Sequence, residues 1–210
     1  ENFLRAPYGL YARQPGMNEV EYQCSNQYHF AWLCGDDVPQ SLIHNVDRSL
    51  WVLGEELPLK CHGLGGRSSM IDPIYGDVFD HHSVVYEFAS GVKLYAFCRT
   101  TTGCYNEVSS TVVGTKGRAD VTAGRIEGEN PWRYSGERCN AYDEEHRALF
   151  AAIRAGETIR SGRHMTDSTL TTVMGQLSCY TGEEVTLDRA AASDFFYPPA
   201  SDACAFDMTP

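Results

Sequence analysis

The chain is 210 residues long and 42% hydrophobic, enough for one well-buried core with a small second lobe possible. Its formal charge of −11 and pI near 5.0 argue against a nucleic-acid or anionic-membrane partner, because phosphates are held by clustered Lys and Arg; a neutral small molecule is expected instead. No apolar run approaches the roughly 18 residues that a membrane span requires.

The chain opens at Glu1 with neither Met nor a signal-like segment, from which we expect a piece of a longer protein. Its eight cysteines (Cys24, Cys34, Cys61, Cys98, Cys104, Cys139, Cys179 and Cys204) form no C-x-x-C pair, so no structural metal is expected. Cys98 and Cys104 are close enough in sequence to bridge a turn, while several other thiols sit in apolar runs and read as small buried hydrophobes.

Residues 1–18, with Pro7, Gly9, Pro15 and Gly16, carry no sustained period and are expected to form an irregular arm ahead of a single domain over 19–210. Asn18 with Glu21 is a capping box, and the run from Glu19 to Leu33 reads as helix stopped by Gly35. Asp36, Asp37, Val38 and Pro39 give an acidic start to a second helix, with Ile43, Val46, Leu50 and Trp51 at helical spacing and Gly54 as its end.

From Leu57 to Tyr134 the pattern changes to short alternating segments punctuated by glycine, as antiparallel strands require. Ser83 to Phe88 and Val92 to Arg99 read as one hairpin, and Ser110 to Val113 and Arg118 to Val121 as another. Helical period returns after Asn140, with Leu149, Phe150 and Ile153 on one face and Gly156 as the stop. A last helix from about Thr166 to Tyr180, ended by Gly182, carries Leu170, Val173, Met174 and Leu177 inward. Helices, then strands, then helices is an α+β order. A dinucleotide fold needs strand, G-x-G-x-x-G turn and helix in succession, and the cluster from Gly63 to Arg67 lacks that spacing, so no Rossmann domain is expected in this chain.

Gln40, His44 and Asp47 fall at i, i+4 and i+7 and can project from one side of their helix. An imidazole at His44 can accept a hydroxyl proton, which makes it the acid/base candidate; the competing reading is a satisfied core histidine. Asp80 and His81, at the start of a hairpin strand, are candidate substrate contacts, against a turn-capping Asp beside an exposed His. His82 must face away from His81 on the same strand, so the two do not share a metal ion. Arg67 and Arg99 can hold hydroxyls or a carboxylate, although internal ion pairs are the commoner fate of such residues. Asp47 reads as support for its helix or a loop, and the run from Glu144 to His146 as a solvated face.

Eleven segments, in order, resemble the Gfo/Idh/MocA oxidoreductases: Glu19 to Gln23, Trp32 to Asp36, His44 to Asp47, Leu50 to Gly54, Gly63 to Arg67, Tyr75 to His82, Tyr86 to Val92, Val113 to Gly117, Glu145 to Leu149, Ala152 to Gly156, and Ser168 to Thr172. The resemblance covers roughly residues 19 to 190. It implies the family's C-terminal domain, α+β with an open, mostly antiparallel sheet, helices on one face and the other face used for oligomer contact as a homodimer or tetramer.

It further implies a substrate-binding role in an NAD- or NADP-dependent oxidation of sugar or polyol CH–OH groups, with His44 at the family's H-x-x-D histidine. The family's catalytic lysine and the cofactor would belong to the nucleotide-binding half, and no cofactor is expected on this piece, which alone should be inactive. Four residues before that histidine the family usually has Asp or Glu, where this chain has Gln40; an amide can orient a hydroxyl but cannot take its proton. That departure motivates an alternative, a non-catalytic carbohydrate-binding or assembly module. Relatives with this version of the motifs suggest export in folded form and a periplasmic location.

Overall fold

The computed structural model describes residues 1–137 and 139–197, so Cys204 lies outside the described residues. Two compact units are present, one formed by Glu1–Ser109 with the chain from Ser168 onward, the other by Ser110–Asp167, where the sequence suggested one domain with a single strand block.

The chain begins in a strand, β1 (Asn2–Leu4), followed by α1 (Glu19–Ser25), a 3-10 turn (Gln27–His29), α2 (Ala31–Cys34), a π-helical segment (Val38–Leu42) running into α3 (Ile43–Val52), and β2 (Lys60–Gly66). A second 3-10 turn (Pro73–Tyr75) precedes β3 (His81–Glu87), β4 (Lys93–Thr100) and β5 (Glu107–Val108). The smaller unit holds β6 (Thr111–Gly114), β7 (Gly117–Asp120), β8 (Arg125–Gly128), β9 (Trp132–Arg133) and α4 (Ala141–Ala155). The chain then passes through α5 (Gly162–Thr181), β10 (Val185–Thr186) and α6 (Leu187–Ala191).

The expectation of an irregular arm fails at its first residues. Asn2 to Leu4 insert between β4 and β5, parallel to β4, and buried Asn2 sits opposite Cys98. A three-residue strand is too short to leave a period in sequence. The expected helix over 19–33 is also interrupted. The Asn18 and Glu21 capping box starts α1 as anticipated, but buried Asn26 stops it: its side chain accepts from Tyr11 N (2.8 Å) and donates to the carbonyls of Tyr11 (3.2 Å) and Tyr22 (3.0 Å). One amide side chain therefore ends the helix and clamps the arm onto it.

The large unit's sheet runs β10-β2-β3-β4-β1-β5, antiparallel throughout except for the β1/β4 pair. The hairpin around Ala89, Ser90 and Gly91 forms as the sequence indicated, pairing His81 with Arg99 and Glu87 with Lys93 at its ends. One face carries Cys61, Val84, Tyr86, Ala96 and Cys98 into a core closed by Val38, Leu42, Val46 and Leu50 of the π/α3 helix and by Met174 and Cys179 of α5. The opposite face leaves Leu64 65% and Tyr95 58% exposed. Helices therefore line one face of an open sheet. Trp51, expected inward by its spacing, is exposed: the inward face runs Val38, Leu42, Val46, Leu50, and Trp51, one residue past Leu50 in the last turn of α3, falls off it.

The glycine cluster of β2 lies inside the sheet ladder, not in a turn. A Cβ on Gly63 would stand 2.9 Å from the Cys179 sulfur and 2.9 Å from the Ser83 carbonyl, and one on Gly65 would stand 3.2 Å from Cys179 Cβ, so these glycines let α5 lie directly on the strand. Gly175 makes the reciprocal notch on the helix: a Cβ there would meet the hydroxyl of fully buried Tyr86 at 2.1 Å.

In the smaller unit the strands run β6-β7-β8-β9, all antiparallel, with the second hairpin placed as the sequence indicated. Asn140 caps α4 and Gly156 closes it in the left-handed conformation, but α4 has no buried residue, and Leu149, Phe150 and Ile153 are all exposed. The seven described cysteines are free thiols, so Cys98 and Cys104 are not bridged, and Cys61, Cys98 and Cys179 are buried as small hydrophobes. No helix among the described residues is long and apolar enough to cross a membrane.

Helix propensity alone makes Gly175→Ala stabilising by about 1 kcal/mol. The notch argument reverses the sign: urea unfolding of Gly175→Ala should show a net loss of about 1–3 kcal/mol from overpacking. Adding Tyr86→Phe, which removes the hydroxyl in the notch, should recover part of that loss, whereas a stabilised single variant would contradict the close approach.

Candidate functional site

The residues on which a site can be built converge where α2 gives way to the π-helical turn. Gly35 (φ 74°) caps α2 in the left-handed region and Asp36 (φ 69°) continues in it, reversing the chain; Asp is among the few side chains that tolerate this conformation. The reversal buries the Asp36 carboxylate under the sheet. Its Oδ2 accepts from His82 Nε2 (3.0 Å), the Tyr180 hydroxyl (2.6 Å) and Phe79 N (3.2 Å), and its Oδ1 accepts from Asp37 N (2.6 Å). With Nε2 of His82 donating to Asp36, Nδ1 is left to accept from the Cys98 thiol at 3.5 Å. The Phe79 ring stacks on Tyr180 at 4.0 Å. Burial first, and then the Asp36 charge, push the Tyr180 hydroxyl far above its ordinary pKa, so it stays a donor.

The following turn carries Gln40. Its backbone N–H bonds to the Asp36 carbonyl (3.0 Å), and its side-chain carbonyl accepts from the Ser41 hydroxyl, which is in turn bonded to the hydroxyl of Tyr8 on the arm. With its oxygen engaged, Gln40 has its amide N–H groups left to offer a ligand. Tyr8, His29, Cys34, Asp36, Asp37, Gln40, Met70 and Thr100 are among the residues around a cavity of about 10 Å³ of water-accessible space, the room of roughly one water. Asp37 is 6% exposed and neither of its carboxylate oxygens has a hydrogen-bond partner; His29 Nδ1, equally buried, has none either. Burial lowers the pKa of His29 and raises that of Asp37 to about 6.

His44 lies on α3 four residues beyond Gln40. It is exposed, which removes the core-histidine reading, and no hydrogen bond or ion pair among the described residues orients it. Asp47 accepts from the Ser168 hydroxyl (2.7 Å), tying α3 to α5 in the supporting role anticipated for it.

Arg67, Asp80 and His81 are brought together where β2 ends and β3 begins, but their groups are largely committed. Arg67 donates to the carbonyls of Met70 (2.6 Å), Gly76 (2.9 Å) and Asp72 (3.5 Å), and Arg99 donates to the Tyr105 carbonyl (2.5 Å) with its guanidinium 4.9 Å from the Phe3 ring. Both arginines therefore hold backbone, a use that linear spacing does not reveal. Asp80 is fully buried and accepts from the N–H groups of Ser68 (2.7 Å), Ser69 (2.6 Å) and Met70 (2.9 Å), from both serine hydroxyls, and from His81 Nδ1 (2.7 Å). Asp80 is thus a loop anchor, not a substrate contact. His81 keeps its other nitrogen at a half-exposed edge of the outer sheet face, while His82 points into the core, as strand alternation requires. Asp36, Asp37, His82, Tyr180 and Tyr8 are not among the site residues that the sequence reading singles out; the legible signal is the pair of adjacent acids before Val38-Pro39, which reads only as the acidic start of a helix.

No family model and no curated protein match the chain. Among solved structures it is similar to a probable dehydrogenase from Thermotoga maritima (TM-score 0.61, 19% identity, 90% of this chain and 55% of that one). It is similar also to GenD2 from gentamicin A biosynthesis, solved in complex with NAD (TM-score 0.59, 19% identity, 88% and 53%), and to an aldose-aldose oxidoreductase from Caulobacter crescentus complexed with glycerol (TM-score 0.63, 15% identity, 88% and 54%). At these identities the likeness establishes an architecture: an open α+β fold shared with dehydrogenases. More particularly, it is the fold of part of the Gfo/Idh/MocA-type dehydrogenases, and the chain spans about half the length of the structures it matches. Among the described residues the one glycine cluster is held in the β2 ladder against α5, so it makes no pyrophosphate-binding turn and does not fit a dinucleotide.

Burial alone would raise the Asp80 pKa, but the N–H groups of Met70 and Ser69, the His81 ring and the Ser68 N–H outweigh it and hold the carboxylate well below its usual range. A depressed folded-state pKa contributes stability that is present above the unfolded value and lost as pH falls toward the folded one. Asp80→Asn should therefore cost about 2–4 kcal/mol at pH 7, by leaving buried donors short of an anionic acceptor, and the gap to wild type should close progressively below about pH 4. Unfolding curves from pH 2 to pH 7 check both the size and the direction.

Proposed function

We propose that the chain is the substrate-binding and oligomerisation part of an NAD(P)-dependent oxidoreductase that acts on sugar or polyol CH–OH groups. The observation that carries this reading is the overlay of nearly nine-tenths of the chain on dehydrogenases while it spans about half of each. Their names supply the chemistry: one binds NAD, and another is an aldose-aldose oxidoreductase holding a polyol. NAD or NADP, which accepts or returns a hydride when bound, would sit on a nucleotide-binding half together with the lysine that the resemblance implies.

This chain's residues then act on the substrate side. Exposed His44 takes the hydroxyl proton, and Gln40 orients the hydroxyl through its free amide donors. His81 offers a further contact at the sheet edge, while Asp80 and Arg67 shape the loop between them. The outer sheet face, with Leu64 and Tyr95 uncovered, suits a second copy of the chain in a homodimer or tetramer. A second reading, a non-catalytic sugar-binding or assembly module, is favoured by one observation: the residue oriented at this turn is a neutral amide.

The test joins the chain to a nucleotide-binding half and assays a panel of sugars and polyols with NAD and NADP. The oxidoreductase reading expects no turnover by the 210-residue chain alone and turnover by the joined protein. It also expects His44→Ala to lower kcat by about 100-fold or more with KM little changed. Sugar binding without turnover in the joined protein would replace it with the module reading.

A further inference from the structure

The arm that follows β1 encloses a cleft of its own on the larger unit. Tyr11 and Arg13 of the arm, Glu19 and Tyr22 of α1, and Pro73 and Ile74 of the second 3-10 turn are among the residues around about 620 Å³, a size in the range that holds small molecules. The side chain of Tyr11 is free: the residue is 69% exposed and its ring meets no other ring among the described residues. Its backbone, by contrast, is fixed on both sides. The N–H donates to Asn26 Oδ1 (2.8 Å), the carbonyl accepts from Asn26 Nδ2 (3.2 Å), and Asn26 is buried. A flat apolar ring is thus held out from a rigid mount, an arrangement that costs hydrophobic free energy unless a ligand covers the ring.

The polar side of the cleft narrows the ligand. Arg13 bonds through Nη2 to Glu19 and through Nη1 to the Met17 carbonyl (3.4 Å), with its guanidinium 4.2 Å from the centre of the Tyr22 ring, which leaves it donors to spare. Glu19 also accepts from Gln23 Nε2 (2.9 Å). Burial works against the charge of Glu19, but Gln23 and Arg13 outweigh it, so the carboxylate stays ionised and the Arg13–Glu19 pair carries no net charge. An anion would meet Glu19 beside Arg13, and a wholly apolar ligand would bury both charges without partners of its own. A neutral ring with C–H groups on its face and hydroxyls along its edge satisfies both sides: the face lies on Tyr11, while the hydroxyls accept from Arg13 and donate to Glu19.

We propose that this cleft binds a neutral sugar ring, stacked on Tyr11 and held at its hydroxyls by Arg13 and Glu19. The arm connects the cleft to the turn that carries Gln40. Tyr8, whose hydroxyl bonds to Ser41 beside Gln40, lies three residues before Tyr11, so the two stand no more than about 11 Å apart along the chain. Two linked rings cover that reach. One ring at Gln40 and a second in the cleft make the substrate a disaccharide or other glycoside, not a free monosaccharide, with the far ring contributing binding and no chemistry. That substrate class rests on the reading of Gln40 and His44 as the substrate face; the affinity of the cleft for a neutral sugar does not.

The experiment follows backbone amide shifts by NMR in the 210-residue chain during titration with glucose, maltose, cellobiose, lactose and glucuronate. At least one neutral disaccharide is expected to shift the amides of Tyr11, Tyr22 and Ile74. Tyr11→Ala should weaken that binding by about five- to tenfold, whereas Tyr11→Phe, which keeps the ring, should stay within about twofold of wild type. Unchanged amides in β2, β3 and β4 show that each variant keeps the fold. No shift at the cleft with any neutral sugar, binding of glucuronate alone, or a Tyr11→Ala affinity equal to wild type overturns the proposal. In the joined protein, Tyr11→Ala should raise KM for a disaccharide by about fivefold or more with kcat little changed. Turnover of monosaccharides alone would overturn the linked-sugar assignment and leave the oxidoreductase reading intact; a joined protein without turnover would fail that reading even where the cleft binds sugar.

Discussion

The larger unit depends on one buried carboxylate. Asp36 gathers the imidazole of β3, the phenol of α5, a loop N–H ahead of β3 and the N–H of its own successor, so a single side chain fixes the depth of α5, the side of the sheet on which the π turn lies, and the start of α3. An apolar residue there could fill the space but could not set these angles, since dispersion has no direction and hydrogen bonds do. The left-handed backbone at Asp36 is the local cost of aiming the carboxylate inward, and four donors stabilise that aim.

From this constraint the site's asymmetry follows. Because Asp36 takes the available donors, Asp37 beside it is left bare in a cavity, and burial shifts it toward the neutral form near pH 6. Because the chain leaves Asp36 in a π turn, Gln40 emerges where the arm's Tyr8 can reach Ser41, and the Ser41 hydroxyl holds the oxygen of the amide. The second polar cluster, around Asp80, works differently: its acceptors are saturated by three N–H groups, two hydroxyls and an imidazole, and it makes a rigid loop with no group to spare except the far nitrogen of His81. Two acidic clusters of similar composition thus come to opposite ends, one half bare and one locked.

What could be read from the sequence was whatever local pattern decides. The two hairpins, the Asn18 cap, the return of helix after Asn140, the glycine stops and the opposite faces of His81 and His82 all depend on neighbours within a few residues, and all are present. What could not be read depends on partners far along the chain. The β1 strand is fixed by β4, the break in the first helix by Asn26 reaching Tyr11, and the spending of Arg67, Arg99 and Asp80 on backbone by the path of two loops. The glycines of β2 were legible as a cluster that is not a phosphate turn, but their purpose lies in the approach of Cys179, 116 residues beyond Gly63. Likewise, Asp36 and Asp37 look alike in sequence, and only the tertiary donors distinguish the engaged acid from the bare one.

The central claim is that Asp36 couples α5 to the turn that carries the site. A double-mutant cycle with Asp36→Asn and Tyr180→Phe, read by urea unfolding, measures it directly. The account predicts that the two losses are not additive, with a coupling of about 1–3 kcal/mol. Additive losses, with coupling indistinguishable from zero, would contradict it.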